Sequence, residues 1–300
     1  MKSITQLRDF ARNKDNFHSI NNYLTFCKYF IEFIDNSQNY QAKIIARNES
    51  NYQFIQYDEQ VSFQITRPIN SKLFLTSNNI ESSLSLYANV LKEKELLINL
   101  SAPERKTLNN SIYTIQQSIG CALDALPASE NNTGKKVNGD LFEQLILLTF
   151  KEMQFDCNSL VESLPIIDEG VEIGKSIYQH DLVFRKENDI QVIGSVKTSS
   201  KDRIDKVFLN KIQYNRLKGK DVSHIAIFLN DVQRKENPPK IKVGGTFLPG
   251  HFKEYTVTLS PLDGVYYCDL RPLMIEDPYL NKRIKSIDYL LCKDIWELTK

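Results

Sequence analysis

The period of the apolar positions changes partway along the chain. From Ser19 to Ile34, Ile20, Tyr23, Leu24, Cys27, Phe30, Ile31 and Ile34 recur at helical spacing, and Phe26, Tyr29 and Phe33 widen that face. Two further helices are predicted over Glu81–Asn99 and Glu104–Leu126, punctuated by Pro103 and Pro127. Tyr52–Thr66 alternates loosely and reads as strand. Residues 1–130 are therefore a mainly helical region. The polar, turn-rich stretch Pro127–Asn138 reads as a linker. Its Gly134-Lys135 pair is not a phosphate loop, because the G-x-x-x-x-G-K-[ST] frame and a preceding strand are both missing.

Residues 131–300 follow another pattern. A helix is predicted over Asn138–Gln154 and strands over Phe155–Leu164, Ile177–Phe184 and Ile190–Lys197, the last two joined by Lys186–Asp189. Asp202–Gly219 is amphipathic through Ile204, Val207, Phe208, Ile212 and Leu217, with Gly219 where a C-cap falls. Val222–Leu229 is almost wholly apolar, as befits a strand buried on both faces. Short strands are predicted at Val257–Leu259 and Val265–Asp269, with a loop at Thr246–Lys253 and a helix-like C-terminal stretch holding Trp296 as a packing residue. The fold class is mixed α/β.

Composition narrows the function classes. Of 300 residues, 41% are hydrophobic and 25% charged, which suits a globular chain with a sizeable core. No apolar run reaches membrane-spanning length, and no apolar segment follows the first residues, so neither a membrane span nor a secretory signal is expected. Five cysteines without a C-x-x-C pair point to free thiols in a reducing compartment, and four dispersed histidines give no zinc spacing. A net charge of +1 excludes nucleic-acid binding by bulk charge but not a local basic groove.

Three charges stand among apolar neighbours. Glu143 lies towards the apolar side of its helix, with Ile146, Leu147 and Phe150 at i+3, i+4 and i+7. A carboxylate there needs a cation, a metal or backbone donors; the plainer alternative is a first-turn glutamate favoured by the helix dipole. Asp181 interrupts a strand, where aspartate often marks a site or a bulge. Lys197 shares a strand face with Ile193 and Ser195, and the hairpin register sets it diagonally across from Asp181. Each could also be an edge charge.

The series Asn138-Gly139-Asp140-Leu141-Phe142-Glu143, His180-Asp181 and Ser195-Val196-Lys197, followed by an amphipathic helix and a buried strand, resembles the PD-(D/E)xK nucleases, and within them the type II restriction endonucleases. The resemblance implies a nuclease core with a central mixed sheet flanked by helices, cutting double-stranded DNA with Mg²⁺. It implies Asp181 as metal ligand, Glu143 as auxiliary ligand and Lys197 as the residue that orients the attacking water. Ser195 stands where the family usually carries an acid; Glu143 is the candidate replacement, with Asp202 and Asp205 weaker ones. A homodimer, a cognate DNA methyltransferase and a cytoplasmic location are further implications, and the helical region would serve dimerisation or DNA clamping.

The chemistry suits these residue types. Carboxylate-held Mg²⁺ offsets charge on the phosphate, and few protein carboxylates are needed to hold it. From Lys197 to Lys220 there are eight cations and two acids, favouring an anionic substrate. Lys201 and Arg203 are expected to contact DNA, with Gln233 and Arg234 as base readers; His251 is a weaker general-base candidate. A repair or junction nuclease, an inactive DNA-binding protein and a plain α/β domain are the alternatives.

Overall fold

The computed structural model of the protein describes residues 3–57, 65–201, 203–236 and 240–300. The N-terminal part holds α1 (Ile4–Arg12), α2 (Ile20–Asp35), a small antiparallel sheet of β1 (Ala42–Ile45), β2 (Tyr52–Gln56) and β3 (Ile69–Asn70), then α3 (Ser77–Val90), α4 (Lys94–Ile98) and α5 (Ala102–Leu123). Ser19 and Asn22 cap α2 reciprocally, and Ser101 and Glu104 do the same for α5. Pro103 lies inside the first turn of α5, where its missing N–H costs nothing. The strand reading over Tyr52–Thr66 is met by β2 and by a bridge from Gln56 to Ile65; 58–64 lie outside the described residues.

Two sequence expectations are corrected here. The single helix over 81–99 is instead α3 and α4 with a turn between, which allows Leu91 and Leu97 both to be buried; a straight helix would turn them to different faces. The polar stretch after Pro127 is not a linker: a 3₁₀ turn (Ala128–Glu130) leads straight into α6 (Asn131–Glu152). Gly134 hides this helical turn from a periodicity reading. It is buried under Leu126, whose Cδ1 would lie 3.0 Å from a Cβ placed there, so a side chain at that position would require Leu126 to shift.

Next come β4 (Cys157–Asp168), β5 (Val171–Lys186), β6 (Asp189–Ser199), α7 (Ile204–Lys218), β7 (Ser223–Asn230), β8 (Val232–Arg234), β9 (Val243–Gly245), α8 (Pro249–Thr258), β10 (Gly264–Tyr267), α9 (Pro272–Glu276), α10 (Pro278–Asn281) and β11 (Ile284–Ser286). The chain closes through α11 (Ile287–Tyr289), a π-helical turn and α12 (Ile295–Leu298), where Trp296 packs on Phe155 at 4.6 Å. The principal sheet has the order β11-β10-β7-β6-β5-β4. Its β4, β5 and β6 run antiparallel, whereas β6, β7, β10 and β11 run parallel. The expected order of helix, three strands, helix and buried strand is α6-β4-β5-β6-α7-β7. Strand β7 is sandwiched: Ile225, Ile227 and Leu229 join the apolar cluster of α6 and the N-terminal helices, while Ala226 and Phe228 join that of α7 and α8.

The strand expected at Val257–Leu259 is also corrected. Pro249 opens α8 through the expected loop, Phe252 and Thr256 bury one helical face, and Val257 is left 75% exposed. Local β-branching lost to tertiary packing against Phe208. All five cysteines are free and buried. No helix among the described residues is long and apolar enough to cross a membrane.

Candidate active site

Three elements meet where α6 and the interior of β5 approach the C-terminal end of β6. Because α6 begins at Asn131, Glu143 sits about three turns in. It is thus beyond the reach of the N-terminal dipole, and the first-turn explanation of its charge lapses. Asp181 is carried by an irregular strand. Asn158 pairs with Val183 but Leu160 with His180, so β5 has one extra residue at this point. His180 and Val183, an odd number apart, consequently both pack beside Tyr214 of α7. The bulge breaks the alternation locally and re-aims Asp181. On its other side, β5 pairs with β6 as far as Leu182–Gly194, which puts Asp181 opposite Ser195 at the next step.

The Lys197 ammonium lies between the two carboxylates, 2.9 Å from Glu143 Oε1 and 2.5 Å from Asp181 Oδ2. The Val196 N–H donates to the same Asp181 oxygen at 2.8 Å. Burial pushes the Glu143 carboxyl above the usual range and the neighbouring Asp181 adds to this, with Lys197 offsetting only part. Burial pulls the Lys197 ammonium down, but the attraction of Asp181 and Glu143 outweighs it and holds the group above its ordinary value. Ser195 joins none of these contacts. Asp202 lies outside the described residues. Asp205 sits in the first turn of α7 and is not among the residues lining the cleft described next.

The cluster opens into a cleft of about 750 Å³. Lys201, Arg203, Gln233 and Arg234 all line it, as do Glu143 and Lys197. Lys201 Nζ approaches Gln233 Oε1 at 3.3 Å, and Arg234 reaches the Ile65 carbonyl at 3.5 Å. His251 is exposed on α8 and does not line the cleft.

The basic run up to Lys220 is not one DNA-facing surface, contrary to the sequence reading. Lys211 is buried against Asp263, Lys218 pairs with Glu162 and Lys220 with Asp189. These lysines tie α7 and the following turn to the sheet, so only the N-terminal end of the run reaches the cleft. The sequence reading also left Asp140 without a role. It lines the cleft, pairs with Lys14 at 2.8 Å and adds to the repulsion felt by Glu143. Its i, i+3 spacing from Glu143 was the available signal.

A hard divalent cation fits this donor set. Glu143 and Asp181 converge on one point, as their shared ammonium demonstrates, and among the described residues Asp181 Oδ1 and Glu143 Oε2 accept no hydrogen bond. Both donors are oxygens, and Mg²⁺ keeps several waters and takes one or two protein carboxylates. No group of three or more His, Cys, Asp or Glu side chains suited to a metal exists among the described residues.

Among solved structures, the chain is similar to the type IIP restriction endonuclease Kpn2I over 98% of its own length and 96% of that chain, with a TM-score of 0.71 and 18% identity. The protein therefore has the restriction endonuclease fold. A structure of restriction endonuclease PspGI with substrate DNA covers 73% of this chain and 92% of that one, at a TM-score of 0.38 and 13% identity, too loose a match to bear on the site. No protein-family model and no curated protein sequence matches the chain.

Proposed function

With the restriction endonuclease fold as premise, we propose that this protein is a Mg²⁺-dependent, sequence-specific endonuclease that hydrolyses phosphodiester bonds of double-stranded DNA. The observation that carries the reading is the Lys197 ammonium held between Glu143 and Asp181, with Lys197 and Glu143 lining a basic cleft and Asp181 beside them, outside its lining. Asp181 and Glu143 would hold the metal, which supplies positive charge against the phosphate and a more acidic water. Asp181 is oriented for this by the Val196 N–H. Lys197 keeps its proton on Nζ, hydrogen-bonds the attacking water and stabilises charge growing on the phosphate. Lys201 and Arg203 hold backbone phosphates beside the scissile bond, and Gln233 and Arg234 present donors and acceptors to base edges. The protein acts as a cytoplasmic homodimer on twofold sites, alongside a methyltransferase that protects the same sequence.

Incubation with unmethylated plasmid DNA tests this directly. Discrete fragments are expected with Mg²⁺, none with chelator, and none from Asp181→Ala or Lys197→Ala. Fragments from both variants would remove the proposed site.

A second reading, a DNA-binding protein without cleavage, is favoured by Ser195 at the position of an acid and by a site that holds, among the described residues, two convergent carboxylates. It predicts a band shift on duplex DNA and no cutting of any unmethylated substrate.

A further inference from the structure

Basic residues from two separate parts of the chain line the cleft, and the sequence points to only one of the two sets. Lys201, Arg203 and Arg234 line it from the β6–α7 turn and from β8; Lys135 and Lys136 line it from the first turns of α6. Both α6 lysines are exposed and, among the described residues, neither has a carboxylate partner. Among the described residues, the three acids lining the cleft are all engaged: Asp124 by Arg67, Asp140 by Lys14 and Glu143 by Lys197. The unneutralised charge that the described residues bring to the cleft is thus positive and comes from elements far apart in the sequence. That contrasts with the far end of α7, where Lys211 and Lys218 are consumed by internal ion pairs.

The fold had a cheaper way to build this helix start. Asn131, Asn132 and Thr133 are exposed beside the lysines, and Gly134 draws this turn tightly beneath Leu126. Lys135 and Lys136 stand in the second turn of α6, where neither a capping role nor an ion pair with a described residue occupies them. Their position on a cleft wall gives them a use.

We propose that Lys135 and Lys136 are a second phosphate-binding rim, holding the DNA backbone in the same cleft as Lys201, Arg203 and Arg234 but from α6. This rests on the nuclease reading above and adds to it the residues that grip the duplex from the α6 side. Each phosphate neutralised releases condensed counterions, so the rim has a signature that a structural role lacks: the salt dependence of binding.

The test is fluorescence anisotropy of a labelled, unmethylated duplex under chelating conditions across a KCl series. It compares the wild type, Lys135→Ala/Lys136→Ala, and Lys92→Ala/Lys106→Ala, which removes the same charge from exposed positions outside the cleft. The rim variant should bind more weakly, with a log–log salt slope shallower by about 1.8, since each lost phosphate contact is worth about 0.9. The control should keep the wild-type slope. If the rim variant also keeps it, or if the control loses as much, the rim is overturned while the nuclease reading stands. A wild type that binds no duplex at any salt overturns both. Melting temperatures within a degree or so of wild type establish that the variants are folded.

Discussion

Asp231 shows how a single residue at the end of the sheet charges the fold for its position. It is buried, its Oδ1 has no hydrogen-bond donor among the described residues, and Arg271 Nε stands 3.9 Å away while that guanidinium serves Glu49 at 2.6 Å. Burial pushes its carboxyl up to about 6, only partly countered by Arg271. The folded protein therefore holds a proton that the unfolded chain releases, and the stability penalty grows as pH rises through this range, reaching its full size above the folded value. The shift from 3.8 to about 6 corresponds to about 3 kcal/mol at 1.36 kcal/mol per pH unit. Asp231→Asn should accordingly raise the melting temperature at about pH 8, with the gain fading towards about pH 4, where both states are protonated. A gain of the same size at both pH values would show that ionisation is not its source.

Among the elements, the β5–β6 hairpin does the most to define the site, because it sets the register of Asp181 against Lys197. Its turn was legible in the sequence as four residues. The structure narrows it to two: Lys186 pairs with Asp189, and Glu187 and Asn188 both adopt positive φ, 51° and 70°. That is the mirror-image turn matching the strand twist, but Glu187 is a poor residue for a left-handed conformation. Glu187→Asn/Asn188→Gly should stabilise the protein by about 1 kcal/mol, read as a melting temperature a few degrees higher. An unchanged or lower value would mean that the turn is not a source of strain. The bulge in β5 was visible only as an aspartate out of place. Its direction depends on pairing with β4, a contact between segments whose individual patterns do not reveal it.

At the scale of the molecule, one apolar cluster runs from Leu7 and Phe30 in the N-terminal helices through Leu141 and Ile146 of α6 to Leu182, Val196 and Ile227 of the sheet. Tyr23 donates to the Leu141 carbonyl and Tyr87 meets the Thr149 hydroxyl across the same boundary. The small sheet is likewise tied to the main one, with Tyr52 and Asn70 both donating to Asp269 at 2.8 Å. Heat should unfold these parts together, giving one calorimetric transition whose calorimetric and van't Hoff enthalpies agree. Two resolved transitions would show that the helical region folds independently.

The sequence by itself determined the mixed α/β class, the order α6-β4-β5-β6-α7-β7 and the identity of the three charges that meet at Lys197. Those features depend on local periodicity, on turn residues and on charges conspicuous among apolar neighbours, all of which are written in short windows. Only the tertiary structure decided that α6 starts at Asn131, that Val257 is helical, that Lys211 and Lys218 of α7 pair with internal carboxylates and that Lys135 and Lys136 line the cleft. Each of these depends on a partner distant in the chain: Leu126 over Gly134, Phe208 beside Phe252, Asp263 on Lys211, and the β6–α7 turn lining the same cleft as α6. A side chain's environment is set by what folds against it, and for these residues nothing within a helical turn of the sequence carries that information.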